Sequence, residues 1–181
     1  LAAIFGLPSP LIAIHLLWVN LITDSLPAIA LGADKKPKAI MEEKPRDPKE
    51  SLFSHGGYGV TFGYGVWIGV ITLVAFLSVA WMRMGFTLNP VEIRNFFDTC
   101  DIAILEEAQA MAFCVLSMSE LFHMLGMTDT KHSFIHVFKD KNILLWASFV
   151  IGMALQFFVI FVPGVNTVFQ VVPLEGWDFL W

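Results

Sequence analysis

Four apolar runs, each about as long as a bilayer is thick, leave this chain few folds to choose from. They cover residues 11–31, 58–82, 108–127 and 142–162. About 20 mostly apolar residues in a helix cross the hydrocarbon core. Inside lipid each backbone N–H and C=O must find its partner within the protein, which selects helices for segments of this length. A fifth run begins near Pro173 and stops at Trp181, and Leu1 to Leu7 reads as the tail of an earlier span. The expected fold is therefore all-α: a polytopic transmembrane helix bundle with four complete spans and partial spans at both ends, treated as one domain over 1–181. Composition agrees, because 56% of the residues are hydrophobic and only 15% charged, where soluble domains carry about 25% charged residues.

Both ends look cut, so a piece of a longer membrane protein is expected. The amino terminus has no charged leader or cleavage site of a signal peptide. Orientation follows from the loops. Segment 33–50, "ADKKPKAIMEEKPRDPKE", holds Lys35, Lys36, Lys38, Lys44, Arg46 and Lys49, and segment 128–141 holds Lys131, Lys139 and Lys141. Segment 83–107 has Arg83 and Arg94 against Glu92, Asp98, Asp101, Glu106 and Glu107, and 163–175 has no Lys or Arg. Basic loops stay in the cytoplasm, so 33–50 and 128–141 are expected there and 83–107 outside. The expected setting is the plasma membrane. The net charge of −5 and the lack of a basic stripe argue against a nucleic-acid partner.

The first span contains a contradiction. "HLLWVNLITDSLPAIALG", His15 to Gly32, is apolar enough for lipid, yet it carries Asn20, Thr23 and Asp24, then Ser25 and Pro27. Residues three or four apart share a helix face, so Asn20, Thr23 and Asp24 form one polar patch. A carboxylate at a helix centre costs about 2.5–3.5 kcal/mol on insertion scales. Pro27 lacks an N–H, so the Thr23 carbonyl loses its usual partner. A local unwinding within Asp24 to Pro27 is expected, presenting backbone and side-chain oxygens together. Oxygen-only ligands suit a hard cation. Asn and Thr also serve as interhelical glue at about 0.6 kcal/mol each, but an intramembrane carboxylate is a functional candidate by default.

A second carboxylate lies in "AFCVLSMSELFHMLG". Glu120 sits well inside the third span, with Ser117 and His123 one turn away on the same face. Its depth is comparable with that of Asp24, so the two could meet in one bundle. His123 lies near the cytoplasmic end, where local hydrogen bonding is the simpler role. "TFGYG", Thr61 to Gly65, looks like the carbonyl filter of potassium channels, but it opens a full-length span instead of following a pore helix. Gly59 and Gly63, and again Gly65 and Gly69, have the small-xxx-small spacing of closely packed membrane helices. "SHGGYG" lacks the Lys-Ser/Thr of a phosphate loop. Cys100 and Cys114 belong to no metal or disulfide pattern. Cys114 reads as packing, and Cys100 could pair with a cysteine elsewhere in a longer chain.

These motifs also resemble a family. "LLWVNLITDSLPAIALG" is similar, nearly residue for residue, to the sixth transmembrane helix of P-type calcium-transporting ATPases. "IMEEKPRDPKESLF" resembles the cytoplasmic loop that follows it, and "SELFHMLG" sits where the eighth helix carries an ion ligand. The resemblance runs from the end of the fifth helix to the start of the tenth. It implies that Asn20, Thr23 and Asp24 are ion ligands, that Asp24 bridges sites in two-ion members, and that Glu120 is the eighth-helix ligand. It implies Ca2+ as the transported ion. ATP and Mg2+ would act only through phosphorylation and nucleotide domains that lie upstream, as do the remaining ligand helices. Those helices and domains are the implied partners, and this chain would not hydrolyse ATP alone. Two readings remain beside the pump: a segment of an ion-coupled secondary transporter, which also uses broken helices, and a structural helix module whose polar patch only pins neighbours.

Overall fold

The computed structural model describes residues 2–33, 51, 53, 57–126 and 143–172. The basic segments 34–50 and 128–141 and the partial span from 173 lie outside the described residues. Among the described residues every regular element is helical. Four segments are long and apolar enough to cross a membrane: Ala13–Gly32, Gly57–Met84, Ile102–Gly126 and Ile143–Phe161. They match the expected spans in number and order.

The first span is composite: α1 (Ala13–Trp18), a wide π-helical turn (Val19–Thr23) and α2 (Ser25–Gly32). Then come α3 (Gly57–Met84), α4 (Pro90–Thr99), α5 (Ile102–Gly126), α6 (Ile143–Phe161) and the short α7 (Val165–Phe169). At the amino terminus the expected tail of an earlier span is a 3-10 turn, Ala2–Phe5, closed by Gly6 at φ +66°.

Helix α3 packs along α5 as the main pair of the bundle. Ala108, Ala110 and Ala112 are fully buried on α5, and Phe76, Val79 and Ala80 on α3. Alanines let the two backbones approach, because lipid supplies no hydrophobic drive and close van der Waals packing must hold the helices. Val19, Val159 and Ile160 join the same cluster, which brings the wide turn and α6 onto this pair. A second cluster, Ala30, Met124, Leu125 and Leu145, ties α2 to α5 and α6 at the other end.

The segment expected as the outer loop is largely helical. Asn89 caps α4 by accepting the Val91 N–H at 3.1 Å, and Pro90 follows at the start, where a missing donor is harmless. Ile93 and Phe97 point into the core, and Phe97 stacks on Phe76 at 4.8 Å. Helix α5 begins at Ile102, ahead of the expected 108. The apolar and helix-favouring residues "IAILEEAQ" carry it beyond the lipid-compatible stretch. Arg83 at the end of α3 meets Glu107 at 2.5 Å, which offsets one of the added charges.

Candidate functional site

The break in the first span has a different form from the one expected. The backbone of Asp24 stays right-handed, at φ −89° and ψ −42°, and α2 continues through Pro27. The irregularity lies one turn earlier. The Asp24 N–H donates to the Val19 carbonyl at 3.0 Å, five residues back instead of four. This wide turn resets the ladder so that Pro27 falls in the first turn of α2. There the N–H groups have no intrahelical partner in any case, so proline costs nothing. A π-turn thus accommodates Pro27 where an unwound segment was expected, while keeping the backbone largely bonded. Such single wide turns are frequent at functional sites.

The turn also changes which way the patch faces. Asn20 and Asp24 are exposed on the described bundle, whereas Thr23 is buried at 3%. The Ser25 hydroxyl donates to the Asn20 carbonyl at 3.3 Å, again five residues back. Pro27 offers no N–H to the Thr23 carbonyl.

Glu120 is half-buried on α5, which packs against the wide turn. Among the described residues its Oε2 is buried without a hydrogen-bond partner, and the Asp24 carboxylate is close enough to act on it electrostatically. Two carboxylates from different spans therefore share one region. Ser117, one turn away, is fully buried, and its hydroxyl also has no partner among the described residues. His123 goes elsewhere: its ring lies against Tyr64 of α3, with centroids 4.6 Å apart. Among the described residues, no three His, Cys, Asp or Glu side chains converge on one point.

The other motifs resolve more simply. Gly59, Gly63 and Gly65 face open space, with no atom within 4 Å of an added Cβ. Among the described residues, nothing packs against that stripe. Cys100 and Cys114 are both free thiols, and Cys114 is buried in the α3–α5 core.

Sequence reasoning passed over a polar layer beside the site. His15 is fully buried, and its Nε2 bonds the Phe169 carbonyl at 2.8 Å. Its ring stacks on Phe113 at 4.4 Å. The Trp18 indole N–H donates to Gln156 Oε1 at 3.0 Å. Gln109 Nε2 donates to the Ser9 carbonyl at 2.8 Å. The available signal was a glutamine in the otherwise apolar "MALQFFVIF" of α6.

The family model described as "Cation transporting ATPase, C-terminus" matches residues 8–181. This chain belongs to that family. It is 40% identical over 99% of its length to "Calcium-transporting ATPase 1" of Bacillus cereus (strain ATCC 10987 / NRS 248). It is 31% identical over 99% of its length to "Calcium-transporting ATPase" of Bacillus subtilis (strain 168). The chain spans about one fifth of the length of these relatives, 20% and 18% respectively. Family membership and the four spans make it an integral, multi-pass membrane protein of the cation ATPase class. It also decides against the secondary-transporter reading.

Proposed function

We propose that this chain is the membrane part of an ATP-driven calcium pump, and that Asn20, Thr23, Asp24 and Glu120 supply its share of the intramembrane ion site. The observation that carries the reading is the wide turn at Val19–Thr23. At this turn Asn20 and Asp24 are exposed on the described bundle, and α5, which carries the half-buried Glu120, packs against it. Irregular backbone survives at membrane depth only where protein or a water-filled cavity covers it. The exposed ligands thus call for further helices of the parent protein to complete the shell. A calcium ion takes about 6–8 oxygens, more than these residues bring to one point.

Calcium is the cargo. Ions from the cytoplasm reach the oxygens at the wide turn. ATP and Mg2+ act in phosphorylation and nucleotide domains of the parent pump, and the resulting movement reshapes the bundle and opens the site outward. The basic segment 33–50 lies on the cytoplasmic side against those domains, and 83–107 lies outside. The membrane is the plasma membrane. After release, Asp24 and Glu120 would leave two like charges in a poorly solvated site, and protons returning from outside relieve that repulsion.

The test is ATP-dependent calcium uptake by the full-length pump in sealed vesicles. Asn20→Ala and Glu120→Ala are expected to reduce uptake at limiting calcium. Unchanged uptake in both, with normal expression and thermal stability, would remove these residues from the site.

A further inference from the structure

A π-turn contains one more residue than an α-turn, and nothing in the backbone alone fixes where that extra residue sits. Exchanging one hydrogen bond at a time would let it migrate along the span, carrying Asn20 into a new direction. Something must hold it on each side. Below it stands Pro27, which cannot donate the bond that would let the turn move into α2. Above it stands Trp18, the residue immediately before the turn.

Trp18 is held by two contacts of its own, and the turn before it by a third. Its indole N–H donates to Gln156 of α6 at 3.0 Å. Its ring meets Phe169 of α7 edge-on at 5.0 Å. One turn earlier His15, fully buried, is bonded to the Phe169 carbonyl. Between Trp18 and Asn20 lies only Val19, which is buried and whose carbonyl accepts the wide bond from Asp24. Gln156 is an unusual choice for this task. It is 1% exposed and its amide nitrogen has no partner among the described residues. An unsatisfied buried donor is destabilising, a cost that Leu or Met would avoid. What glutamine adds is the acceptor for Trp18.

We propose that Trp18, held by Gln156, is a positioning residue of the ion site: it pins the outer end of the wide turn and so fixes the direction of Asn20 relative to Asp24. The proposal rests on the ion-site reading above. It predicts a defect in calcium affinity with little change in turnover, because the pin touches no ion and serves only to hold ligands in place.

The experiment uses the full-length pump carrying Trp18→Phe, Gln156→Met, both together, or Asp24→Asn. Calcium-activated ATP hydrolysis is followed against calcium concentration, with thermal stability alongside. Losing one hydrogen bond should raise half-saturating calcium about three- to tenfold in each single variant. Maximal rate should stay near that of the parent. The double variant should be no worse than the weaker single, since both remove the same bond. An unchanged half-saturating calcium in the single variants overturns the proposal, as do two defects that multiply. If Trp18→Phe fails to fold, Gln156→Met decides alone, because it keeps the side-chain length and removes the acceptor together with an amide nitrogen that has no partner among the described residues. If Asp24→Asn is inactive while Trp18→Phe and Gln156→Met titrate normally, the pin falls and the site stands. Full calcium activation in Asp24→Asn overturns both.

Discussion

The N–H of Asp24 bonds the carbonyl of Val19, five residues back, and this one long step sets the direction of the polar residues around it. Pro27 favours the step, since an N–H at that position would let the α-helical ladder run through Thr23. Pro27→Ala supplies the missing N–H. The ladder can then close, and removing one residue from the register turns Asn20 against Asp24 by about 100°. Half-saturating calcium for ATP hydrolysis by the full-length variant is expected to rise about tenfold or more, the loss of at least one ligand contact. An unchanged calcium titration would show that the wide turn does not orient ligands.

The four proposed ligands would make only part of a calcium shell. Asp24 and Glu120 offer two oxygens each and Asn20 and Thr23 one each, against the roughly 6–8 that calcium takes. Thr23 is buried while Asn20 and Asp24 are exposed, so even these do not all converge. The isolated chain in detergent is expected to bind calcium only at millimolar concentrations. Calorimetric titration checks this, and micromolar binding would place a complete site within the chain.

Gly152 of α6 lies against α5 so closely that an added Cβ would stand 2.6 Å from Leu121 Cδ2. Leu121 is itself 1% exposed and has little room to yield. Gly152→Val should destabilise the bundle by about 1–3 kcal/mol, the usual penalty for overpacking. Gly59→Ala and Gly63→Ala in the isolated chain should leave stability almost unchanged, because those positions face open space. Thermal unfolding in detergent compares them.

The proposed orientation puts α4 outside the cell. Leu88 and Val91 are 74% and 62% exposed, so cysteines placed there should react with an impermeant maleimide in intact cells. Labelling only after permeabilisation would reverse the orientation. The native Cys100 should contribute little background. Burial pushes its thiol above the ordinary value, with the neighbouring Asp101 adding to the effect, and its own backbone and Arg83 opposing it. A raised value means less thiolate near neutral pH, and thiolate is the reactive form. Its labelling should therefore accelerate as pH rises beyond the range where an exposed cysteine has already levelled off.

The spans were readable because the bilayer imposes both a length and a polarity, and Leu11 to Leu31 or Asn142 to Val162 satisfy both without any tertiary information. Asn20, Thr23 and Asp24 stood out because polar groups are costly at that depth. The form of the break was harder to read. Pro27 announces a missing donor, but whether the chain unwinds or widens depends on what grips the residues before it. That grip comes from Gln156 and Phe169, well over a hundred residues away in sequence. The helix α4 was missed for a related reason. Charges at Glu92, Arg94 and Asp98 read as a solvated loop, although Ile93 and Phe97, four apart, were the face that buries. His123 was assigned local hydrogen bonding, and its contact with Tyr64 depends on how α3 lies along α5.

The central claim is that Asp24 is an ion ligand, and not a polar residue that pins helices. Asp24→Asn separates the two, since the amide keeps the size of the side chain and can still hydrogen-bond, but loses the charge and exchanges one acceptor oxygen for an NH2 donor. The decisive measurement is calcium-dependent ATP hydrolysis by the full-length Asp24→Asn pump, with expression and thermal stability recorded in the same preparation. The predicted result is a folded protein whose hydrolysis no longer responds to calcium. Near-normal calcium-activated turnover in that folded variant would contradict the account.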